Sequence, residues 1–160
     1  KKPKIGISWT GGLAHTGLAK RSVSLDAFGP LFEEIDADWI SLQYKEVDTK
    51  AAEKYGVKIH DWEWGTRVYD YDQTAALVSE LDLVISVTTA VVDLCGGLGK
   101  ECYCLVPSQP IWRHGVTGSE LLWGKSVKLF RQGKDWPITS ILGELRDRFG
   151  SKRRESKAAA

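Results

Sequence analysis

The chain has 160 residues and a mass of 17.8 kDa, enough for one domain that buries roughly 70% of its unfolded surface. It carries 22 basic and 21 acidic residues, a net charge of +1. Lys152, Arg153, Arg154 and Lys157 sit near the C-terminus with only Glu155 against them, so the body is slightly acidic, which argues against a nucleic-acid-binding face.

Taken in chain order, the predicted elements alternate. Lys4 to Trp9 reads as a strand, Asp26 to Glu34 as an amphipathic helix, and Trp39 to Gln43 as a second strand. Thr49 to Tyr55 reads as a short helix, and Val57 to Trp62 as a third strand. After an aromatic loop, Asp72 is expected to cap a helix through Glu80. Leu81 to Pro107 then packs a strand, a polar turn, a small-residue helix and another strand into one βαβ unit, its first strand apolar on both faces. Val127 to Phe130 is a last short strand, and Pro137 opens a helix to Phe149. Alternation of this kind predicts an α/β fold, a doubly wound parallel sheet of about six strands with right-handed crossovers.

The folded domain is expected over residues 1–150, with 151–160 a disordered basic tail. The chain starts at Lys1 and contains no Met, which reads as a piece of a longer protein. No apolar run approaches the ~20 residues of a membrane span, and Lys1 to Lys4 has no signal-peptide core. Cys95, Cys102 and Cys104 fall inside predicted elements without metal-ligand spacing. They read as reduced core thiols, which points to the cytoplasm.

The loops at the carboxyl edge of the sheet carry the candidate chemistry. Thr88 and Thr89 end a strand just before a helix starts near Ala90, so hydroxyls and unpaired backbone N–H groups point where open α/β sheets bind ligands. The natural guest is a phosphate. In the first loop, Thr10, Gly11, Gly12 and Gly17 allow close backbone approach, and Lys20 and Arg21 add charge suited to a diphosphate. The same residues also read as an exposed glycine loop with solvated cations. The spacing is neither G-x-G-x-x-G nor a Walker A pattern, which disfavours a nicotinamide enzyme or a P-loop ATPase. Gln43, Tyr44 and Lys45 leave the second strand at the same edge.

Trp112, Arg113, His114, Trp123 and Arg131 follow the fifth strand and could stack on a base or sugar, or simply pack. The triplets Asp36-Ala37-Asp38 and Asp70-Tyr71-Asp72 resemble metal-holding D-x-D motifs. The first lies at the wrong edge of the sheet and the second is explained by helix capping, so no metal is expected. His15 and His114 have no serine or carboxylate partner at readable spacing, and no catalytic residue is assigned.

The segments KIGISWTGG, KRSVSL, WISLQ, DQTAALVSELDLVISVTTAVVDLCGGLGK, IWRHG and LFRQGKDW occur in the order seen in bacterial glycosyltransferases with tetratricopeptide repeats. These resemble the family-9 heptosyltransferases and, more distantly, the O-GlcNAc transferases. The resemblance runs from Lys4 to about Phe149 and implies the Rossmann-like, C-terminal half of a GT-B fold that binds a nucleotide-sugar as substrate, without a cofactor.

By the resemblance, Thr88 and Thr89 hold the donor diphosphate and Arg21 matches a basic residue of the first loop. Gln43 and Lys45 resemble a phosphate-contacting pair, with spacing shorter by one residue. Asp93 resembles a ribose-binding Asp, displaced by one position. Trp112 and Arg113 are candidate substrate contacts. Thr88 stands where family-9 proteins carry Asp, Asp93 where they carry His, and Glu101 replaces a usual Pro. The implied partner is an N-terminal acceptor or repeat domain of the same protein, which would supply the catalytic base. The alternative is a non-catalytic binding or scaffolding domain that keeps the fold.

Overall fold

The structure, a computed structural model, describes residues 1–152; the last eight residues of the expected basic tail lie outside the described residues. Strands β1 (Lys4–Ser8), β2 (Asp38–Ser41), β3 (Ile59–His60), β4 (Leu83–Val87), β5 (Cys102–Val106), β6 (Glu120–Leu121) and β7 (Gly124–Arg131) form one sheet. The helices are α1 (Leu18–Arg21), α2 (Gly29–Glu34), α3 (Glu63–Thr66), α4 (Tyr71–Ser79), α5 (Ala90–Leu98) and α6 (Ile138–Phe149). Short 3₁₀ turns span Ala14–Thr16, Leu25–Phe28, Lys50–Tyr55 and Trp112–His114.

The sheet order is β3-β2-β1-β4-β5-β7-β6. The pairs from β3 through β7 are parallel, and β6 pairs antiparallel with β7 at the edge. The sheet therefore has seven strands rather than about six, and its parallel character stops one strand short of that edge. The added strand is the short arm of a tight hairpin, and no α-helix connects β5 to β7.

Side-chain alternation sends the strands' residues into two cores. Ile5, Ile7, Leu83, Ile85 and Leu105 pack with Phe28, Phe32, Ile141 and Leu145 of the α2 and α6 layer. Within it, Phe32 meets Trp39 edge-on at 4.9 Å. Ile40, Val84, Cys102, Cys104 and Val127 pack with Leu77, Val78, Val92 and Cys95 of the α4 and α5 layer. Both faces of β4 and β5 are buried along their whole length, which explains their unbroken apolar sequence.

The three cysteines are free and buried in the second core. A hydrogen bond with Cys95 and then burial push the Cys102 thiol well up, and burial pushes up that of Cys104. No described helix is long and apolar enough to cross a membrane.

Local chemistry shifted several expected boundaries. Asp70, not Asp72, caps α4, its carboxylate accepting from the Asp72 N–H at 3.0 Å. Pro137 precedes α6 rather than sitting in its first turn. The second and third strands are shorter than their apolar runs, and the Lys50–Tyr55 segment winds as 3₁₀ until Gly56 reverses it at φ 70°. The body also extends past residue 150, because the backbone N–H of Lys152 donates to the Glu34 carbonyl and its ammonium to that of Phe32 at 2.6 Å.

The hairpin packs on α5 through two glycines. A Cβ on Gly124 would lie 2.7 Å from the Cα of Gly96, whereas one on Gly97 would meet nothing within 4 Å. Gly124→Ala is therefore expected to destabilise the protein by about 1–3 kcal/mol. Gly97→Ala, on the exposed side of the same helix, should stabilise it by about 0.5–1 kcal/mol. Urea denaturation of the two variants reads both signs; equal effects would refute the close packing.

Candidate functional site

The chain leaves β1 to build β2 on one side and later returns to build β4 on the other. The loops beyond these strands diverge at that switch point, where doubly wound sheets leave a crevice. A cavity of about 310 Å³ occupies it, lined by Gly12, Arg21, Tyr44, Tyr71, Thr89 and the first turn of α5.

Two threonines follow β4 with different roles, and of the two Thr89 lines the cavity. Thr88 is buried, its hydroxyl accepting from Arg21 Nε at 3.3 Å and its carbonyl from Arg21 Nη2 at 2.5 Å. Thr89 is the N-cap residue of α5, but its hydroxyl lies 3.1 Å from Ser86 Oγ and does not bond the helix. Ala90 and Val91 open α5, where the N–H groups have no intrahelical carbonyl to bond, and both residues line the cavity at the positive end of the helix dipole.

Gly12 and Arg21 are fitted to each other. Gly12 adopts φ 84°, which favours glycine, and a Cβ there would crowd Thr16 Oγ1 at 2.9 Å and Arg21 Nη1 at 3.1 Å. The Tyr44 hydroxyl donates to the Gly12 carbonyl at 3.1 Å, and Gly11 N–H donates to Ser22 Oγ at 3.1 Å. Gln43 is fully buried beneath the loop. Its Oε1 accepts from Ser8 Oγ at 2.8 Å, Trp9 N–H at 3.0 Å and Thr10 N–H at 3.3 Å, while its amide donates to the Thr10 hydroxyl. Gln43 and Thr10 therefore shape the loop from below instead of facing the cavity.

Other sequence-derived candidates lie outside this cavity's lining. Lys45 is exposed, its ammonium 5.1 Å from the centroid of the Tyr44 ring. Asp93 pairs with Arg113 at 3.1 Å. Trp112 and Trp123 are exposed, near the α5 side of the β6–β7 hairpin, with centroids 6.4 Å apart. Asp36 pairs with Lys2 at 2.8 Å, and among the described residues no group of three His, Cys, Asp or Glu side chains converges.

Five lining residues were not read from the sequence as site residues: Leu42, Thr66, Tyr71, Thr74 and Val91. For Thr66 and Tyr71 a signal was available. Their signal was the aromatic segment after β3, whose position at the ligand edge follows from its place behind a parallel strand. Burial raises the Tyr71 phenol's pKa, so it stays protonated and can donate.

Beside the site, Arg131 organises the turn after β5. Its guanidinium donates to the carbonyls of His114 (2.5 Å), Gly115 (3.0 Å), Thr117 (2.8 Å) and Gly118 (2.7 Å). His114 is 4% exposed and its Nδ1 has no hydrogen-bond partner. Burial first, then Arg113, lowers its pKa from the usual 6.5, with Arg131 and Arg21 adding to the effect and Asp93 opposing it.

No family model and no solved structure matches the chain. Among curated proteins it is 27% identical over 131 residues to Protein FlbA of Caulobacter vibrioides, an alignment covering 80% of this chain and 22% of FlbA. The chain thus spans about a fifth of that relative's length.

Two outcomes follow from these contacts. Gln43→Met, similar in size, should cost about 2–4 kcal/mol in urea denaturation, because it strands buried donors of Ser8 and Trp9; an unchanged midpoint would remove the clamp. His114 binds a proton less readily folded than unfolded, so on acidification the unfolded chain gains the proton first and stability falls. Between about pH 7.5 and about pH 5.5 the wild type should therefore lose more stability than His114→Asn, and parallel pH profiles would refute this.

Proposed function

We propose that this chain is the donor-binding half of a nucleotide-sugar-dependent glycosyltransferase of GT-B type. The observation that carries the reading is the seating of Arg21 against Thr88 at the open N-terminus of α5, over a cavity at the β1/β4 switch point. A fixed guanidinium and free first-turn amides together suit a diphosphate. The cavity's Leu42, Tyr44, Tyr71 and Val91 supply apolar wall for the nucleoside.

In such a transfer, negative charge grows on the diphosphate as the glycosidic bond breaks. Arg21 and the α5 amides are already oriented to receive it, so they stabilise the charge without reorganising. The acceptor and the catalytic base belong, in this reading, to an N-terminal acceptor or tetratricopeptide-repeat half of the same protein. The short share of FlbA that the chain covers is compatible with such a larger protein. Three buried free thiols fit a reducing compartment, the cytoplasm.

A second reading has its own support. Asp93 is held by Arg113, and the Gln43 oxygen is consumed by three internal donors. Two contacts implied by the resemblance are thus spent inside the protein, as expected of a binding or scaffolding domain that kept the fold.

Calorimetric titration with UDP, GDP, ADP and CMP and their nucleosides separates the two. The isolated chain is expected to bind a nucleotide without turning over its sugar conjugate. Arg21→Ala should weaken diphosphate binding by about ten- to hundredfold while sparing the nucleoside. Thr89→Val should leave stability nearly unchanged, since its hydroxyl caps nothing. Absence of binding by every nucleotide, or an Arg21→Ala variant that binds unchanged, would hand the conclusion to the second reading.

A further inference from the structure

A second cavity, of about 610 Å³, lies between α4 and the outer strands β2 and β3. Helix α4 lends its first turn to the switch-point cavity through Tyr71 and Thr74, and its other end to this one through Leu77 and Glu80. The floor is apolar, with Ile40, Leu77 and Leu81 buried. One wall is aromatic. There His60, Trp62 and Trp64 stack in a ladder, with centroids 5.4 and 6.0 Å apart and planes inclined by 26° and 22°. Trp62 is 39% and Trp64 49% exposed, so the ladder keeps indole surface open at the cavity.

Strand register separates this aromatic wall from a charged end. Lys4 of β1 and Asp38 of β2 are partners at the amino edge of the sheet, whereas His60 of β3 is the partner of Ile40, two residues further along β2. Two residues of strand span about 6.6 Å. Glu80, the C-cap residue of α4, joins Lys4 and Asp38 in the lining. The Lys4 ammonium stands 3.9 Å from the Glu80 carboxylate, beyond hydrogen-bond distance. Among the described residues Asp38 makes no ion pair. One cation and two carboxylates therefore meet at one end of the cavity with bonding capacity to spare.

We propose that this cavity binds a free aromatic α-amino acid. A zwitterion brings both signs to the charged end, its carboxylate to Lys4 and its ammonium to Asp38 and Glu80. A simple cation would meet Lys4, and a simple anion would meet two carboxylates, so a ligand with one charge is repelled by part of the same wall. In phenylalanine, tyrosine and tryptophan a single methylene joins the charged end to the ring. The ring then falls beside His60 and Trp62 when the charges sit at Lys4 and Asp38. A flat ring stacks on the indoles, which an aliphatic side chain does not. The volume lies in the usual range for small-molecule sites, about 300–1,000 Å³, and an apolar body with a few convergent polar groups is their common form. No residue lines both this cavity and the switch-point cavity, so the inference stands apart from the nucleotide reading.

Isothermal titration of the intact chain with L-phenylalanine, L-tyrosine and L-tryptophan tests this. Each is run beside its decarboxylated amine, its deaminated propionate and L-leucine, which lack the carboxylate, the ammonium and the ring in turn. At least one aromatic amino acid should bind, and its three counterparts should each bind about tenfold or more weakly. Trp62→Leu should weaken that amino acid by about tenfold. Lys4→Gln should narrow the gap between the amino acid and its amine, and Asp38→Asn the gap between the amino acid and its propionate. A merely structural disturbance would weaken all the ligands together. Both polar variants change groups at the surface, so they read the site even where Trp62→Leu unfolds the chain. No binding by any of the three amino acids at millimolar concentration would overturn the proposal. So would L-leucine or an amine that binds as tightly, or gaps that stay unchanged in both polar variants with wild-type circular dichroism.

Discussion

Strand β1 bonds to β2 on one edge and to β4 on the other, and the rest of the site depends on that double pairing. A central parallel strand has no solvent face, so it must be apolar, and Gly6 sits where the side chains of Leu42 and Leu81 close over the backbone. The chain then has to leave this crowded position by a loop. That loop is anchored from below by one buried amide, Gln43, and from the side by Arg21 on Thr88. Remove the pairing and neither anchor has a fixed partner.

The two arginines use the same chemistry for different ends. Arg21 and Arg131 both donate to main-chain carbonyls, a neutral partner that leaves the guanidinium charge uncancelled. At Arg21 the uncancelled charge borders the switch-point cavity and is available to an anion. At Arg131 it neighbours His114 and helps keep that imidazole unprotonated. Helix α5 separates the two, and its Asp93 draws Arg113 toward the same helix terminus. Positive potential is therefore concentrated around one end of one helix although the whole chain is nearly neutral.

The βαβ unit was legible because Leu83 to Val87 and Cys102 to Val106 are buried on both faces, and a run without alternation signals a covered parallel strand. The β6 arm was not, because two residues, Glu120 and Leu121, carry no period. At the site, glycines and charge located the loops, but not what each side chain would do. Gln43 reads equally well as a ligand contact or as an internal clamp; burial decides, and burial is a property of the packed chain. Asp70 and Asp72 are both good caps, and only the backbone angle at Asp70, φ −84° and ψ 100°, selects one. Thr66 and Tyr71 come from two different helices, α3 and α4, whose approach is a matter of tertiary packing and not of local pattern.

The cysteines have a consequence for observing this protein. Cys95 lies on α5, while Cys102 and Cys104 lie on β5, and all three are sealed in the layer that carries the α5 terminus. All three are closed off from solvent, so an alkylating reagent labels these positions only in molecules that have opened. Lifting of α5 exposes Cys95 and uncovers the face of β5 that carries Cys102 and Cys104. The rate at which adducts accumulate is therefore a clock for the structural element beneath the anion site, written in side chains the protein already has.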